Sequence, residues 1–323
     1  MKLCKPFREP LPERSEEIKE GGTLLYIYRY GPFHVQVDFA SRLHALGERT
    51  RNWYAHVLID DQPETIDHHC RIEAWDTSPW INNPERDEVI WGEDRVNIRS
   101  SLQFNYNIDW DSGWNSRLHF VQRTGYDEYE DRSWEFSQRI SLFPKLMDMN
   151  AFLLHSVCVV GQDGKAIIFL GTSGAGKSTI AQKAIDSGYS VITDDTALLM
   201  FVEDELRVYA TPYISRSGLI GQPGFWTVGA FVLLGKDAVN TVIPASRQPF
   251  VQSLQERIFE TQYLTHIFSF SSGGLGGDIA KRLLGYTRKI TRQYKAYHLQ
   301  FNLQLKLDDV MGEFLSGEGQ HVR

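Results

Sequence analysis

The stretch GTSGAGKST, Gly171 to Thr179, is the part of the chain whose residue types and spacing point most directly to chemistry. It fits the pattern G-x-x-x-x-G-K-[ST] and lies between an apolar run and a helix-forming run. Glycines let the backbone turn its N–H groups inward, and the following helix adds the positive end of its dipole, so such a loop binds phosphate. The alternative is a glycine-rich turn without a ligand, which chance would give in roughly one chain in a hundred of this length.

The loop predicts a site for a nucleotide and a metal ion. Lys177 would reach the β- and γ-phosphates, and the Ser178 hydroxyl would bind a magnesium ion that bridges the same two groups. ATP and Mg²⁺ are therefore the predicted cofactors. The predicted nucleotide-binding residues are Gly171, Thr172, Ser173, Gly174, Ala175, Gly176, Lys177, Ser178 and Thr179.

Two adjacent carboxylates follow the next predicted strand. The helix after the loop is expected to end at Gly188, and the strand YSVIT then leads into Asp194 and Asp195. Parallel-sheet nucleotide sites place acidic residues at this end of a strand. Asp194 is thus a predicted magnesium ligand, and Asp195 a predicted acceptor for the proton of a nucleophilic hydroxyl. An ordinary turn or helix cap is the alternative.

The segment from Ala151 to Ser246 resembles the bacterial HPr kinase family, whose P-loop lies in a fold related to phosphoenolpyruvate carboxykinase. The resemblance rests on the order of AFLLHSVCVV, the turn GQDG, KAIIFLGTSGAGKST and VITDD. It implies that His155 is an active-site histidine near the transferred phosphate. It also implies that Asp194 is the carboxylate next to the metal ion and that Asp195 is the catalytic base. Without the resemblance, a histidine in an apolar strand is more often a hydrogen-bonded core residue.

The resemblance also extends to Arg216, in TPYISRSG, where related kinases often carry an arginine. Arg216 is thus a candidate phosphate or substrate clamp, and an exposed structural arginine is the alternative. The family's usual His-Gly pair is His-Ser here, and Thr179 replaces the acidic residue common after the P-loop serine. These departures fit a divergent branch. The chain resembles lasso-peptide tailoring kinases, which phosphorylate a serine of a ribosomally made precursor.

Composition narrows the class of protein. A length of 323 residues with 42% hydrophobic content allows two domains or one large one. The net charge of −7 and the pI near 5.8 argue against nucleic acid or an anionic membrane as a partner. No apolar span is long enough to cross a bilayer, and three widely spaced cysteines predict reduced surroundings. The cytoplasm is the expected location.

The two halves of the chain differ in pattern. Seven of the eight tryptophans precede residue 135, together with several strand-like runs, which predicts a mostly β module over residues 1–133. Strands then alternate with helices, so residues 134–323 are predicted to form the P-loop kinase domain, an α/β domain with a mixed sheet. The β module would recognise the substrate or simply pack as a core. Its strand-like runs are TLLYIYRYG, FHVQVDF, NWYAHVLID, DEVIWGEDRVNIRS and SLQFNYNIDW.

Three further segments carry expectations about local structure. SWEFSQRISLFPKLMDMN is expected to be a connecting helix interrupted near Pro144, and ETIDHHC a surface turn. FSSGGLGGD is expected to be a flexible loop, either a lid over the substrate or an ordinary connection. The helix after it is expected to be basic, with either a solvated face or a docking face for acidic groups. Its basic residues are Lys281, Arg282, Arg288, Lys289, Arg292 and Lys295.

These features together predict an ATP-dependent kinase. Asp195, His155, Lys177 and Arg216 are the predicted catalytic residues, while Ser178 and Asp194 hold magnesium. The acceptor is expected to be a serine of a peptide or protein. The alternatives are a nucleotide-dependent switch whose β module binds a partner, and a kinase for a small metabolite. The oligomeric state stays open, a homo-oligomer included.

Overall fold

The structure is a computed structural model. It describes residues 24–74, 88–99, 105–120, 127–213, 219–261 and 274–316. These residues form sixteen strands and six helices, arranged as an α/β protein with mixed sheets.

A seven-stranded sheet forms from the described strands of the first half. Apolar and polar residues alternate in FHVQVDF, and the burial alternates with them, so that one face of the strand is buried. The strand order is β1-β2-β3-β7-β6-β5-β4, with parallel pairing where β3 meets β2 and β7. The strands are β1 (Leu24–Tyr30), β2 (Phe33–Phe39), β3 (His68–Ala74), β4 (Glu88–Trp91), β5 (Arg95–Arg99), β6 (Asn105–Trp110) and β7 (Ser116–Phe120).

A second, nine-stranded sheet forms from the described strands after residue 150. Its main path is β11-β9-β10-β14-β13-β12-β8, and β16 pairs with both β14 and β15. The β10–β14 and β14–β16 pairs are parallel and the other pairs are antiparallel. The strands are β8 (Ala151–His155), β9 (Val157–Val160), β10 (Ala166–Leu170), β11 (Val191–Thr193), β12 (Thr196–Val202), β13 (Glu205–Ala210), β14 (Phe225–Lys236), β15 (Thr241–Pro244) and β16 (Lys295–Phe301).

Helices connect and cover the sheets. Strand β10 is buried on both faces, because Ile168 belongs to one apolar cluster and Phe169 to another. This explains why its sequence AIIFL is apolar without alternation. The helices are α1 (His44–Trp53), α2 (Asp127–Asp148), α3 (Lys177–Asp186), α4 (Arg247–Thr261), α5 (Gly274–Gln293) and α6 (Asp308–Ser316). No helix in the described ranges is long and apolar enough to span a bilayer.

One apolar cluster joins the two sheets. It includes Tyr28 and Phe39 of the first sheet together with Phe152 and Phe231 of the second. The predicted boundary between residues 133 and 134 lies inside α2, which runs without a break from Asp127 to Asp148. The aromatic residues of β1 are thus packed core residues, and α2 lies between the two halves of the chain.

Two expectations for the first sheet were wrong. The segment NWYAHVLID is not a strand: it contains the end of α1 and a short 3₁₀ helix, Ala55–Val57. Tyr54 is buried there and its hydroxyl donates to Gln138 of α2, so tertiary packing overrides the strand propensity of the aromatic residues. His68 and Cys70 are not in a surface turn, because both are buried in β3, where they alternate inward with Ile72.

Three expectations for the helices also differ. Helix α2 continues through Pro144, since buried residues on both sides of the proline, such as Phe143 and Met147, hold it in place. The glycine-rich segment is not wholly a loop, because α5 begins at Gly274 and buries Leu275. Residues 270–273 of that segment lie outside the described ranges. Helix α5 ends at Gln293, and Lys295 begins β16.

Candidate functional site

The Gly171 to Thr179 loop joins β10 to α3, as the sequence predicted. Gly176 precedes the helix with a φ of 105°, in the left-handed region that favours glycine. A Cβ atom at Gly176 would lie 2.6 Å from Cζ of Phe301, and one at Gly171 would lie 2.7 Å from Cβ of Ala175. Gly176 is therefore required by both backbone conformation and space, and Gly171 by space.

The loop presents donors at the N-terminus of α3. The Ala175 N–H donates to the Thr172 carbonyl at 3.1 Å and closes the turn. The N–H groups of Ser173 and Gly174 donate to no acceptor within the described part of the chain. Donors at a helix N-terminus suit an anion, because the helix dipole adds partial positive charge there.

Lys177 lies against this loop. Its side chain is largely buried, and Nζ donates to the carbonyl oxygens of Gly171 at 2.8 Å and Thr172 at 3.3 Å. The next residue, Ser178, is exposed in the first turn of α3. The ammonium group and the hydroxyl thus lie on the same first turn, where a bound phosphate chain could reach both.

Strand register brings the two aspartates to the loop. Strand β9 lies between β10 and β11, with Val157 opposite Phe169 and Cys158 opposite Thr193. The loop and the aspartates therefore follow two strands that run in the same direction, separated by one strand. Because neighbouring strands lie about 4.8 Å apart, the two strand ends lie about 10 Å from each other.

Asp194 and Asp195 lie where β11 gives way to β12, beside the junction of β8 and β9. The Ser156 N–H donates to the Asp195 carbonyl at 2.9 Å and holds the two strand junctions together. Asp194 is 7% exposed, whereas the Asp195 side chain is 33% exposed. The first carboxylate is thus packed inside the site, and the second is open to a reactant.

His155 lies beside Asp195. Its partner in the sheet register is Thr196, and its Nε2 is 3.9 Å from Asp195 Oδ1. The Thr196 hydroxyl donates to Asp195 Oδ2 at 3.0 Å. The side chain of His155 is 26% exposed, so the histidine and the carboxylate are both open to solvent.

Two arginines that the sequence did not predict lie at the site. Arg139 of α2 lies 3.5 Å from Asp195, measured from Nη2 to Oδ2. Arg257 of α4 donates through Nη1 to the Gly171 carbonyl at 3.4 Å. Both are largely buried. The only sequence signal was the spacing of Glu135 and Arg139, which are four residues apart on a helix and form an ion pair.

The residues present fit a magnesium ion held together with a nucleotide. Magnesium takes oxygen ligands and usually keeps one or two carboxylates plus substrate phosphates. Asp194 and Ser178 supply a carboxylate and a hydroxyl of that kind. Across the described ranges there is no group of three or more His, Cys, Asp or Glu residues that could hold a metal by itself. A metal at this site would therefore depend on phosphate oxygens.

The remaining candidate features are Arg216 and two cavities. Arg216 lies outside the described residues, so its role as a clamp stays a prediction. Two cavities, of about 360 Å³ and about 500 Å³, lie along α5 and share Arg282 in their linings. Neither lining includes the loop or the aspartates. The loop, Lys177 and the two aspartates therefore remain the candidate site.

Comparisons with known proteins do not assign this chain to a family. No protein-family model matches this chain, and no curated protein matches its sequence. Among solved structures, the chain is similar to the HPr(Ser) kinase/phosphatase from Coxiella burnetii, with 18% sequence identity and a TM-score of 0.24. The similarity covers 29% of this chain and 70% of that chain. The family resemblance of the sequence, including its lasso-peptide branch, stays a prediction.

Proposed function

We propose that this protein is an ATP-dependent kinase that transfers a phosphoryl group to a hydroxyl, most simply a serine of a peptide or protein. One observation carries the proposal. The phosphate-binding type of loop, with Lys177, and the Asp194–Asp195 pair, with His155, follow two strands that run in the same direction in one sheet. In this proposal the second half of the chain is a P-loop core related to HPr kinase.

The loop and Lys177 would bind and orient the phosphates. The N–H groups at the start of α3 face the region where an anion is stabilised by the helix dipole. Lys177 would exchange its bonds to the Gly171 and Thr172 carbonyls for bonds to phosphate oxygens. A bond between an ammonium and an ionised phosphate is stronger than one between the same ammonium and a neutral carbonyl. When bound at Ser178 and Asp194, magnesium would neutralise charge on the β- and γ-phosphates.

Asp195 would act as the base. The acceptor hydroxyl gives its proton to the Asp195 carboxylate while its oxygen forms a bond to the γ-phosphorus. The bond between that phosphorus and the bridging oxygen breaks, and ADP leaves. His155, next to Asp195 Oδ1, would stabilise the negative charge of the phosphoryl group in flight. The Asp195 side chain is 33% exposed, so an acceptor hydroxyl would approach it from the solvent side.

Asp195→Asn tests the proposal. The amide cannot accept the proton, so phosphate transfer falls by about 10²- to 10⁴-fold, while Mg-ATP binding is retained because Asp195 does not bind the nucleotide. Transfer is measured by mass spectrometry of serine-containing peptides and of small hydroxy acids incubated with ATP. Binding is measured by calorimetry.

Asp163→Asn is the matched control, since Asp163 is a carboxylate in the turn before β10, away from the aspartate pair. It should leave both transfer and binding unchanged. Wild-type protein that binds Mg-ATP but phosphorylates neither class of acceptor would favour a nucleotide-dependent switch. Phosphorylation of the small acids alone would favour a metabolite kinase. No heat of binding with Mg-ATP would refute all three.

A further inference from the structure

Arg139 is held at the site by groups from different parts of the fold. Its guanidinium forms an ion pair with Glu135, one turn earlier in α2, and approaches Asp195 at 3.5 Å. The same guanidinium lies over the ring of Tyr213, with 4.2 Å between Cζ and the ring centroid. A planar guanidinium can make in-plane bonds to carboxylates and stack on an aromatic ring at the same time. Arg139 is only 9% exposed, so this arrangement is largely shielded from water.

Tyr213 connects Arg139 to the first sheet. The hydroxyl of Tyr30, in β1, donates to the hydroxyl of Tyr213 at 3.0 Å. Burial raises the pKa of both phenols, so both stay neutral and keep this hydrogen bond. The residues Tyr30, Tyr213, Arg139 and Asp195 therefore form one continuous chain of contacts. It runs from the sheet of the first half to the carboxylate proposed as the base.

The two oxygens of Asp195 have different surroundings. Oδ2 accepts from the Thr196 hydroxyl at 3.0 Å and lies 3.5 Å from Arg139 Nη2. Oδ1 faces His155 at 3.9 Å. The contacts with Arg139 and Thr196 restrict rotation of the carboxylate, so one oxygen is held and the other faces the active-site histidine. A base that must meet a hydroxyl in a defined geometry gains from such restriction.

We propose that Arg139 is a positioning residue for phosphoryl transfer: it holds Oδ2 of Asp195, so that Oδ1 faces the acceptor hydroxyl, and it ties this carboxylate to the first sheet through Tyr213 and Tyr30. The inference rests on the proposed function, in which Asp195 accepts the proton of the acceptor. Arg139 touches neither reactant in this account and acts only through Asp195. The first half of the chain thereby becomes part of the catalytic apparatus.

The test combines Arg139→Met with Asp195→Asn in the full-length protein. Arg139→Met alone should lower kcat about 10- to 100-fold, the scale expected when a reacting group is misplaced by about 1 Å. The KM and the Kd for Mg-ATP should not change. On the residual rate of Asp195→Asn, adding Arg139→Met should have no further effect, because the group through which it acts is already gone. Arg139→Lys keeps the charge and should recover part of the rate.

Arg207→Met is the matched control. Like Arg139, Arg207 pairs with a nearby glutamate, Glu205, and lies over an aromatic ring, that of Phe225. Arg207 is on β13, and neither of these contacts involves the aspartates. It should leave kcat unchanged. The inference is overturned if Arg139→Met lowers the rate equally in both backgrounds, or if it lowers Mg-ATP affinity together with the rate. If Arg139→Met does not fold, Tyr213→Leu removes the stacking ring and must show the same non-additivity.

A separate measurement distinguishes this inference from the proposed function. If the wild-type protein transfers no phosphate, the kinase proposal fails. The role of Arg139 is then decided by the melting temperatures of the wild-type protein, the two single variants Arg139→Met and Asp195→Asn, and the double variant. Arg139→Met should then lower the melting temperature more in the presence of Asp195 than in the Asp195→Asn background, because it leaves a carboxylate without its partner. Equal decreases in the two backgrounds would refute the contact itself.

Discussion

The two sheets place their ionisable groups differently. In the first sheet His68 is buried, at 1% exposed, with its Nε2 3.0 Å from the Ser116 hydroxyl, while Arg71 and Glu73 of β3 form an ion pair at the surface. In the second sheet charged groups collect where strands end, and the side chains of Asp195 and His155 are about a third and a quarter exposed. The first sheet combines a buried core with surface ion pairs, whereas the second has an aspartate and a histidine side by side where its strands end.

Strand direction on its own does not separate the two sheets, because most neighbouring strands are antiparallel in both. In the second sheet β10 and β11 run in the same direction, and the segments that follow them meet at one edge. Ligands bind at such an edge in α/β sheets because side chains and backbone donors from several loops converge there.

Removing the Lys177 ammonium should weaken nucleotide binding in the second sheet most strongly. Lys177→Met deletes the ammonium group that lies on the loop carbonyls, and a charge-assisted contact of about 1.5–3 kcal/mol corresponds to roughly 10- to 100-fold in affinity. Calorimetry with Mg-ATP should show this loss, and phosphate transfer should fall at least as much.

Lys165→Met is the control for this change, because Lys165 is an exposed lysine just before β10. It should leave binding unchanged. Equal losses in the two variants would mean that general positive charge, and no specific contact at the loop, accounts for nucleotide binding.

A second prediction contrasts two glycines at the ends of α3. Gly176 and Gly188 both have positive φ, at 105° and 79°, but only Gly176 has a neighbour within reach of an added Cβ, the ring of Phe301. Gly176→Ala should lower the unfolding free energy by about 2–4 kcal/mol through strain and overpacking. Gly188→Ala should cost only about 1–2 kcal/mol.

Denaturant unfolding measures both values, and calorimetry follows Mg-ATP binding. The binding should weaken for Gly176→Ala alone, since only this glycine lies in the phosphate-binding loop. If Gly188→Ala weakened nucleotide binding as much, the effect would come from the helix as a whole.

The third prediction concerns the first sheet. Burial lowers the pKa of His68 to about 3, whereas an unfolded chain has a histidine pKa near 6.5. Between these values the unfolded chain binds the extra proton, so the stability falls as the pH falls, by at most about 1.4 kcal/mol per pH unit. His68→Gln should reduce this slope in denaturant titrations between pH 6 and 4.

His69→Gln is the control, because His69 is the exposed neighbour in the same strand. It should retain the slope of the wild-type protein. If His68→Gln also retained that slope, the buried histidine would not be the group that makes the first sheet sensitive to acid.

Much of the second sheet was predictable, because its signals are local. A strand, a glycine-rich loop and a helix follow one another within residues 166–186, and the next strand ends directly at Asp194. Each step has a short-range physical cause: apolar runs form buried strands, and glycines permit the turn. The helix ends at Asp186, just before Gly188, as expected.

The first sheet and the helices around it were less predictable. Nothing local distinguishes NWYAHVLID from a strand, and its helical ending depends on Tyr54 reaching Gln138 of α2. The start of α5 at Gly274 depends on burial of Leu275, whose N–H donates to the Gly92 carbonyl, from a distant part of the chain. In both cases long-range contacts outweigh the intrinsic propensity of a short segment.

The sequence by itself determined the loop, its lysine and hydroxyl, and the two carboxylates at a strand end, because each depends on neighbours within one strand and one helix. Only the tertiary structure decided which arginines meet them. Arg139 and Arg257 come from helices that precede and follow the core strands, 56 residues before Asp195 and 86 after Gly171. Such pairings are set by how helices pack on a sheet, and no spacing along the chain encodes that packing.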